Sequence, residues 1–379
     1  TRCCIINIWL YLFFSRFQAN EYRIYFDKDE ITIIIFCLVT AVSTFIFNIN
    51  TVYDVLFPFA FFASFIGINS VFKTNTISRD SITITLHAAL ILAFVHIVIM
   101  SIQSSDILWA IITFKQTATT GISRANLMTG ILDTSNTFAL QMFIGHMASI
   151  SLFFRAIEKG KKGIIYLATA LIFLSMILFS ISRGALFATM VFNSIIVFQA
   201  IKRKTINFEK IKHVLPFLVL LTVLFTVIVI KYELINNIIS KFSQGTTHRA
   251  DAWYNFLLLK KSEFLSLSFF KGYGYRGFQE IVKSLSSDPS MKQIHNFFLE
   301  TWGRFGFFSM IILTVFLAKK FYFNLTQRSS VWYIAAIPIA MLSREMFEIV
   351  LFIRIFRWEM FFFWIMLLAP FYVKEPSRD

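Results

Sequence analysis

The chain has 379 residues, of which 57% are hydrophobic and 15% charged, against about 25% charged in soluble domains. Phenylalanine alone contributes 48 residues. That much apolar surface excludes an ordinary water-soluble fold and makes lipid the natural solvent. A net charge of +15 would suggest nucleic acid in a soluble protein. Here the basic residues lie in short loops between apolar runs, which is the positive-inside pattern of a membrane protein. No zinc-finger spacing or basic–aromatic platform supports nucleic-acid binding. The three cysteines, Cys3, Cys4 and Cys37, give neither a disulfide framework nor a CxxC metal site.

A bilayer core takes about 20 apolar residues per helix. On that measure the sequence predicts spans near 3–14, 31–48, 55–72, 82–101, 136–154, 164–181, 184–200, 214–231, 296–318, 330–343 and 349–371. The expected fold class is all-α: a single polytopic transmembrane domain over 1–379, with about 11–12 transmembrane helices. Arg155, Lys159, Lys161 and Lys162 mark one cytoplasmic loop, and Lys202, Arg203, Lys204, Lys210 and Lys212 another. The turn at 180–184 then faces outward, and so does the one larger loop, residues 232–293. Lys319–Lys320 return the chain to the inside, and the last pair of spans turns outside at 343–348. One more helix before Thr1 would make twelve spans and an inside start. Segment 102–135 is too polar to span, and 107–114 reads as a short interfacial amphipathic helix. No internal repeat is visible.

Charged groups beside lipid mark candidate sites. In Ser182-Arg183-Gly184, at an outward turn, the arginine either snorkels to head groups or binds an anion with help from the backbone N–H groups of the next helix. In His248-Arg249-Ala250-Asp251-Ala252-Trp253, Arg249 and Trp253 are one helical turn apart. The motif reads as a solvated helix start or as a phosphate-binding cation with an apolar, sugar-stacking face. Gly272-Tyr273-Gly274 lacks the βαβ setting of a nucleotide site and reads as a flexible turn that lets backbone approach a ligand. His295-Asn296 opens the returning helix. A histidine there is either structural or, with an ordinary pKa of about 6.5, a general base for a sugar hydroxyl. The positive end of the helix dipole favours its neutral ring. His248 and His295 are the histidines of the outer region. His87, His96 and His146 fall in spans, and His213 at a cytoplasmic boundary. Arg344 is spaced to pair with Glu348, and Arg354 and Arg357 follow deeper in the last span. Asp27-Lys28-Asp29 has the DxD form that holds a metal in some glycosyltransferases, but it falls on the cytoplasmic side and reads as a solvated loop.

Taken in order, these motifs resemble the bacterial O-antigen ligase and O-antigen polymerase family. They are Ser182-Arg183-Gly184 between two apolar helices, a basic loop, a span, Arg249-x-x-x-Trp253, Gly272-x-Gly274 with Phe278, and His295-Asn296 followed by Gly306. The resemblance covers about 120–370 and is strongest over 180–318. It implies a GT-C-like membrane fold in the bacterial inner membrane, with a periplasmic loop capping a groove that faces the periplasm. It also implies glycosyl transfer without metal or other cofactor. The donor would be an undecaprenyl-diphosphate-linked glycan, the acceptor lipid A–core for a ligase or a carrier-linked repeat unit for a polymerase. Arg183 and Arg249 match the family's diphosphate-binding arginines and His295 its proposed base. With them Trp253, Gly272, Gly274, Asn296 and Arg344 make up the expected substrate site. Phe270-Lys271 stands where members often have Pro before the Gly-x-Gly turn, and Ser309 where ligases place Gly, Thr or Tyr.

Two other readings compete. A lipid-linked oligosaccharide flippase would share the many helices, but would show repeats, short loops and charges near the midplane. A peptidoglycan glycan polymerase would rely on a carboxylate, whereas the candidates here are basic.

Overall fold

The computed structural model describes residues 27–47, 52–74, 77–103, 135–180, 182–204, 247–288, 291–326, 329, 331–347 and 358–373. The predicted spans 3–14 and 214–231, the predicted interfacial helix 107–114, and Glu348, Arg354 and Arg357 lie outside them. Among the described residues there are helices and no strands. The helices are α1 (Lys28–Phe47), α2 (Val52–Thr74), α3 (Arg79–Gln103), α4 (Ser135–Glu158), α5 (Ile164–Ser180), α6 (Arg183–Lys202), α7 (Thr247–Ser262), α8 (Leu267–Phe270), α9 (Gly274–Leu285), α10 (Phe297–Phe305), α11 (Phe307–Thr326), α12 (Ala336–Glu345) and α13 (Trp358–Tyr372). A 3-10 turn, Trp332–Ile334, precedes α12. Four helical stretches are long and apolar enough to cross a membrane: Arg79–Ile99, Asn136–Glu158, Arg183–Lys202 and Phe307–Thr326. The shorter Ile164–Leu178 and Trp358–Tyr372 are also apolar. The chain is a polytopic helical membrane protein.

It divides into two compact units, residues 78–243 and residues 1–77 with 244–379. In the first, α4 is the central helix and is buried along almost its whole length. Gly145 lets it approach its neighbours, because a Cβ there would come within 2.7 Å of Ala93 on α3 and 2.9 Å of Phe173 on α5. The imidazole of His146 is held by the Ala170 carbonyl (3.0 Å) and the Asn193 side-chain oxygen (3.1 Å), so it joins α4 to α5 and α6. At the basic end, Asp80 meets Arg155 (3.4 Å) and Lys159 (3.2 Å).

In the second unit α1 begins with a reciprocal cap: the Asp27 carboxylate accepts from the Glu30 N–H (2.7 Å), and Glu30 accepts from the Asp27 N–H (3.0 Å). Lys73 near the end of α2 bridges both carboxylates, and Asn69 donates to Glu30 (2.9 Å). Tyr372 of α13 donates to Asn69 (2.7 Å), while Asp29 pairs with Lys320 of α11. The Asp-x-Asp segment is therefore not a solvated loop. Burial and cation partners convert it into the stitch joining four helix ends. Deeper in, Trp364 is fully buried, with Phe61 and Phe65 at 5.2 Å and Phe363 at 5.1 Å, and Phe65 reaches on to Phe316 at 5.6 Å. On the opposite face of α1, Ile31, Ile35, Leu38 and Val42 form an exposed apolar stripe, as do Phe308, Ile311, Val315 and Tyr322 on α11. Such stripes at helical spacing are costly in water and natural against lipid.

The predicted span 296–318 is two helices. Gly306 ends α10 with φ +96°, a conformation that L side chains rarely adopt, and α11 starts at the next residue. The loop predicted over 232–293 is, from residue 247 on, a helical cap with its own core of Ala252, Phe256, Phe269, Phe278, Val282, Ile294 and Trp302. Trp364→Ala should cost about 3–5 kcal/mol, the usual range for emptying a buried aromatic site. Leu38→Ala, at a position 59% exposed, should lower the unfolding midpoint of the detergent-solubilised protein far less. Equal shifts for the two variants would refute this account of the core.

Candidate functional site

The site is built from the start of α7 upward. Arg249 and Trp253 share one face of that helix. Arg249 Nη1 donates to the Phe347 carbonyl (2.8 Å), just beyond α12, and the Trp253 ring lies 6.4 Å from the Phe347 ring. Trp253 Nε1 donates to the Ile294 carbonyl (2.6 Å). One face of α7 therefore ties together the residue before His295 and the end of α12.

His295 itself has φ +54°. A residue with a Cβ rarely sits in this left-handed region, and holding it there costs on the order of 1–3 kcal/mol. Its two neighbours are both fixed. On one side, the Ile294 N–H donates to the Glu300 carboxylate (2.9 Å), while the Ile294 carbonyl accepts from Trp253. On the other, Asn296 caps α10, its side-chain oxygen accepting from the N–H groups of Phe298 (3.1 Å) and Leu299 (3.2 Å). The backbone thus aims the half-buried imidazole.

Glu300 is buried and ion-paired with Arg304 one turn later, and the Arg304 guanidinium lies 4.2 Å over the Tyr275 ring. These three residues were not anticipated from sequence. The i,i+4 Glu–Arg pair inside an apolar helix was a readable signal. Its bond back to Ile294 was not, since that depends on the sharp bend at His295.

The glycine motif works by close packing. A Cβ on Gly272 would stand 2.2 Å from the Arg304 carbonyl oxygen, and one on Gly303 2.1 Å from the Phe278 ring. Tyr273 N–H donates to the Gly303 carbonyl (2.7 Å), and Gly274, with φ +69°, starts α9. The segment expected to be a flexible turn is therefore a seam between the cap and α10, and the backbone that Gly272 admits is that of Arg304. Behind it Lys260, 1% exposed in its side chain, pairs with Glu263 (2.8 Å) and donates to the Tyr273 hydroxyl (2.9 Å) and the Ser268 carbonyl (2.7 Å). Burial pushes the Lys260 ammonium below its ordinary pKa against the pull of Glu263. Burial likewise pushes the Tyr273 hydroxyl up, and Glu263 adds to the shift, so Tyr273 stays a donor to that carboxylate (2.7 Å).

Arg344 and Glu345 are fully buried and paired at 3.4 Å, two to three residues before Phe347. The partner described for Arg344 is thus its neighbour, whereas the expected partner, Glu348, lies outside the described residues. Arg183 belongs to the other unit. It is half-buried and opens α6, with Ser182 in extended conformation before it. Of the expected site residues, then, Arg249, Trp253, His295, Asn296, Gly272, Gly274 and Arg344 fall in one compact unit, and Arg183 is described on its own.

Residues 168–314 match the family model described as O-antigen ligase. No curated protein and no solved structure matches the chain. The match spans Arg183, α7, the glycine seam, His295 and the break at Gly306. Over this stretch the chain is similar to the O-antigen ligase family.

Proposed function

We propose that this chain is an O-antigen ligase. In this reading it moves an undecaprenyl-diphosphate-linked glycan onto a sugar hydroxyl of lipid A–core at the periplasmic face of the bacterial inner membrane. The observation that carries the reading is the clamped, left-handed His295, whose preceding carbonyl is held by the same helix that carries Arg249. A base that must meet an incoming hydroxyl benefits from being fixed in advance.

The His295 imidazole takes the proton from the acceptor hydroxyl. The freed oxygen attacks the anomeric carbon of the donor, the bond from that carbon to the diphosphate oxygen breaks, and undecaprenyl diphosphate leaves. Negative charge grows on the leaving group, and guanidinium groups stabilise it by charge-assisted, bidentate hydrogen bonds. Arg249 takes this role, with no metal serving in it. Trp253 and Asn296 position the base rather than touch the chemistry. Polymerisation, with a carrier-linked repeat as acceptor, would use the same groups. Ser309 favours that second reading, because ligases place Gly, Thr or Tyr there. Here its hydroxyl lies between Thr40 (3.1 Å) and the Phe305 carbonyl (2.9 Å), packing α11 on α1.

His295→Ala and Arg249→Ala should each lower transfer by at least about a hundredfold while membrane insertion is kept. Complementation read on a lipopolysaccharide gel checks this, and full activity of both variants would sink the proposal. In the same gel, full-length glycan left on its carrier marks lost ligation and a ladder collapsed to one repeat marks lost polymerisation. Trp253→Phe keeps an aromatic ring but removes the bond to Ile294. It should lower turnover several-fold with little change in KM, so a KM effect alone would argue for direct sugar contact instead. Transfer in membrane vesicles should persist when EDTA replaces divalent cations. Loss on chelation with recovery on added metal would overturn the metal-free step.

A further inference from the structure

Beyond the site, the surface of the cap carries an apolar tip that no catalytic role uses. Phe264 and Leu265, in the turn between α7 and α8, and Leu267, the first residue of α8, are 64, 77 and 63% exposed. Three large exposed apolar side chains within four residues are unfavourable in water. The turn is also firmly built. Leu265 has φ +65°, an outlier for a bulky residue. It is flanked by the Ser266 N–H bond to the Glu263 carbonyl (2.8 Å) and by the buried Lys260–Glu263 pair. The strained backbone therefore presents Leu265 outward in a defined way.

What lies on the outer side follows from the neighbours of this turn. Phe264 packs edge-on against Phe269 (5.4 Å), Phe269 against Phe307 (5.1 Å), and Phe270 stacks on Phe308 (5.3 Å, 11° between planes). Phe308 is the first residue of the exposed stripe Phe308, Ile311, Val315 and Tyr322 on α11. That helix has 20 residues, so it is about 30 Å long, which is the thickness of a hydrocarbon core. Its first turn accordingly lies at the boundary between acyl chains and head groups. The exposed apolar surface of the tip continues the lipid-facing stripe at that level. Exposed Lys261 and half-exposed Lys271 flank it and suit anionic head groups.

We infer that the turn Phe264–Leu267 is a membrane wedge that dips into the leaflet beside α11 and seats the cap on the bilayer. Its partner is the acyl-chain region of ordinary phospholipid, with Lys261 and Lys271 at the head groups. The inference stands whatever glycan the chain transfers.

The test places a nitroxide label at Leu265→Cys, and separately at Leu267→Cys, with Cys3, Cys4 and Cys37 replaced by Ser. The full chain is held in nanodiscs of phosphatidylethanolamine and phosphatidylglycerol. Val315→Cys on the lipid-facing stripe and Lys292→Cys on the exposed part of the cap serve as references. Relaxation by oxygen, which concentrates in lipid, is compared with relaxation by a water-soluble nickel chelate. The wedge predicts labels at 265 and 267 that are relaxed by oxygen and shielded from nickel, as at 315. Nickel access equal to that at 292 would overturn it. Shielding from both reagents would also overturn it, because another protein surface would then cover the tip.

Discussion

The apposition of the cap to the short helix after His295 is the constraint on which the rest of the site depends. Gly272 meets the backbone of Arg304, Gly303 meets the Phe278 ring, and a Cβ at Gly306 would come within 2.6 Å of the Phe270 carbonyl. Three small residues thus let two chain segments close to backbone distance. The Trp302 indole then reaches the Phe269 carbonyl (3.0 Å), and Tyr273 reaches Gly303. With that seam closed, α10 cannot run straight into α11, and the break at Gly306 follows. The polar residues Glu300 and Arg304 are thereby held in the cap's protein interior instead of within a continuous lipid-crossing helix, where they would be far more costly.

The same seam explains why His295 can be held in a rare conformation. Left-handed backbone at a non-glycine residue persists only when its surroundings over-determine it. Here the surroundings are a carboxylate on one neighbouring N–H, an indole on one neighbouring carbonyl, and an N-cap on the other side. Each of these groups is anchored in turn: Glu300 by Arg304, Arg304 over Tyr275, and Tyr275 at the start of the helix that Gly274 opens. The chain of contacts runs from the glycine seam to the backbone on either side of the candidate base.

Lipid and cation pairing share the remaining work within the unit that holds His295. Aromatic packing around Trp364 joins α1, α2, α11 and α13 inside, while apolar stripes on α1 and α11 face outward. At one end the carboxylates of Asp27, Asp29 and Glu30 are taken up by Lys73 and Lys320. That network gives the acidic motif a structural occupation and leaves the candidate chemistry to the opposite ends of these helices.

Much of this was legible in the amino-acid order. The helices over 79–103, 135–158 and 183–202 follow from runs of about 20 apolar residues, since the length and apolarity a membrane requires are local properties that need no partner to be recognised. Arg249 and Trp253 on one helical face, and Asn296 as a helix cap, are also local patterns that a sequence displays directly. The break at Gly306 was hidden, because one glycine in an apolar run carries no sign of its φ. Glu300 and Arg304 read as part of a span, because the bond from Ile294 to Glu300 and the Tyr275 ring under Arg304 depend on how the chain folds around His295. Local periodicity reports which solvent a segment meets, and so the sequence by itself determined the membrane class, most spans and the candidate residues. Only the tertiary structure decided which polar group answers which, because buried charges and strained backbone are stabilised by neighbours distant in the chain.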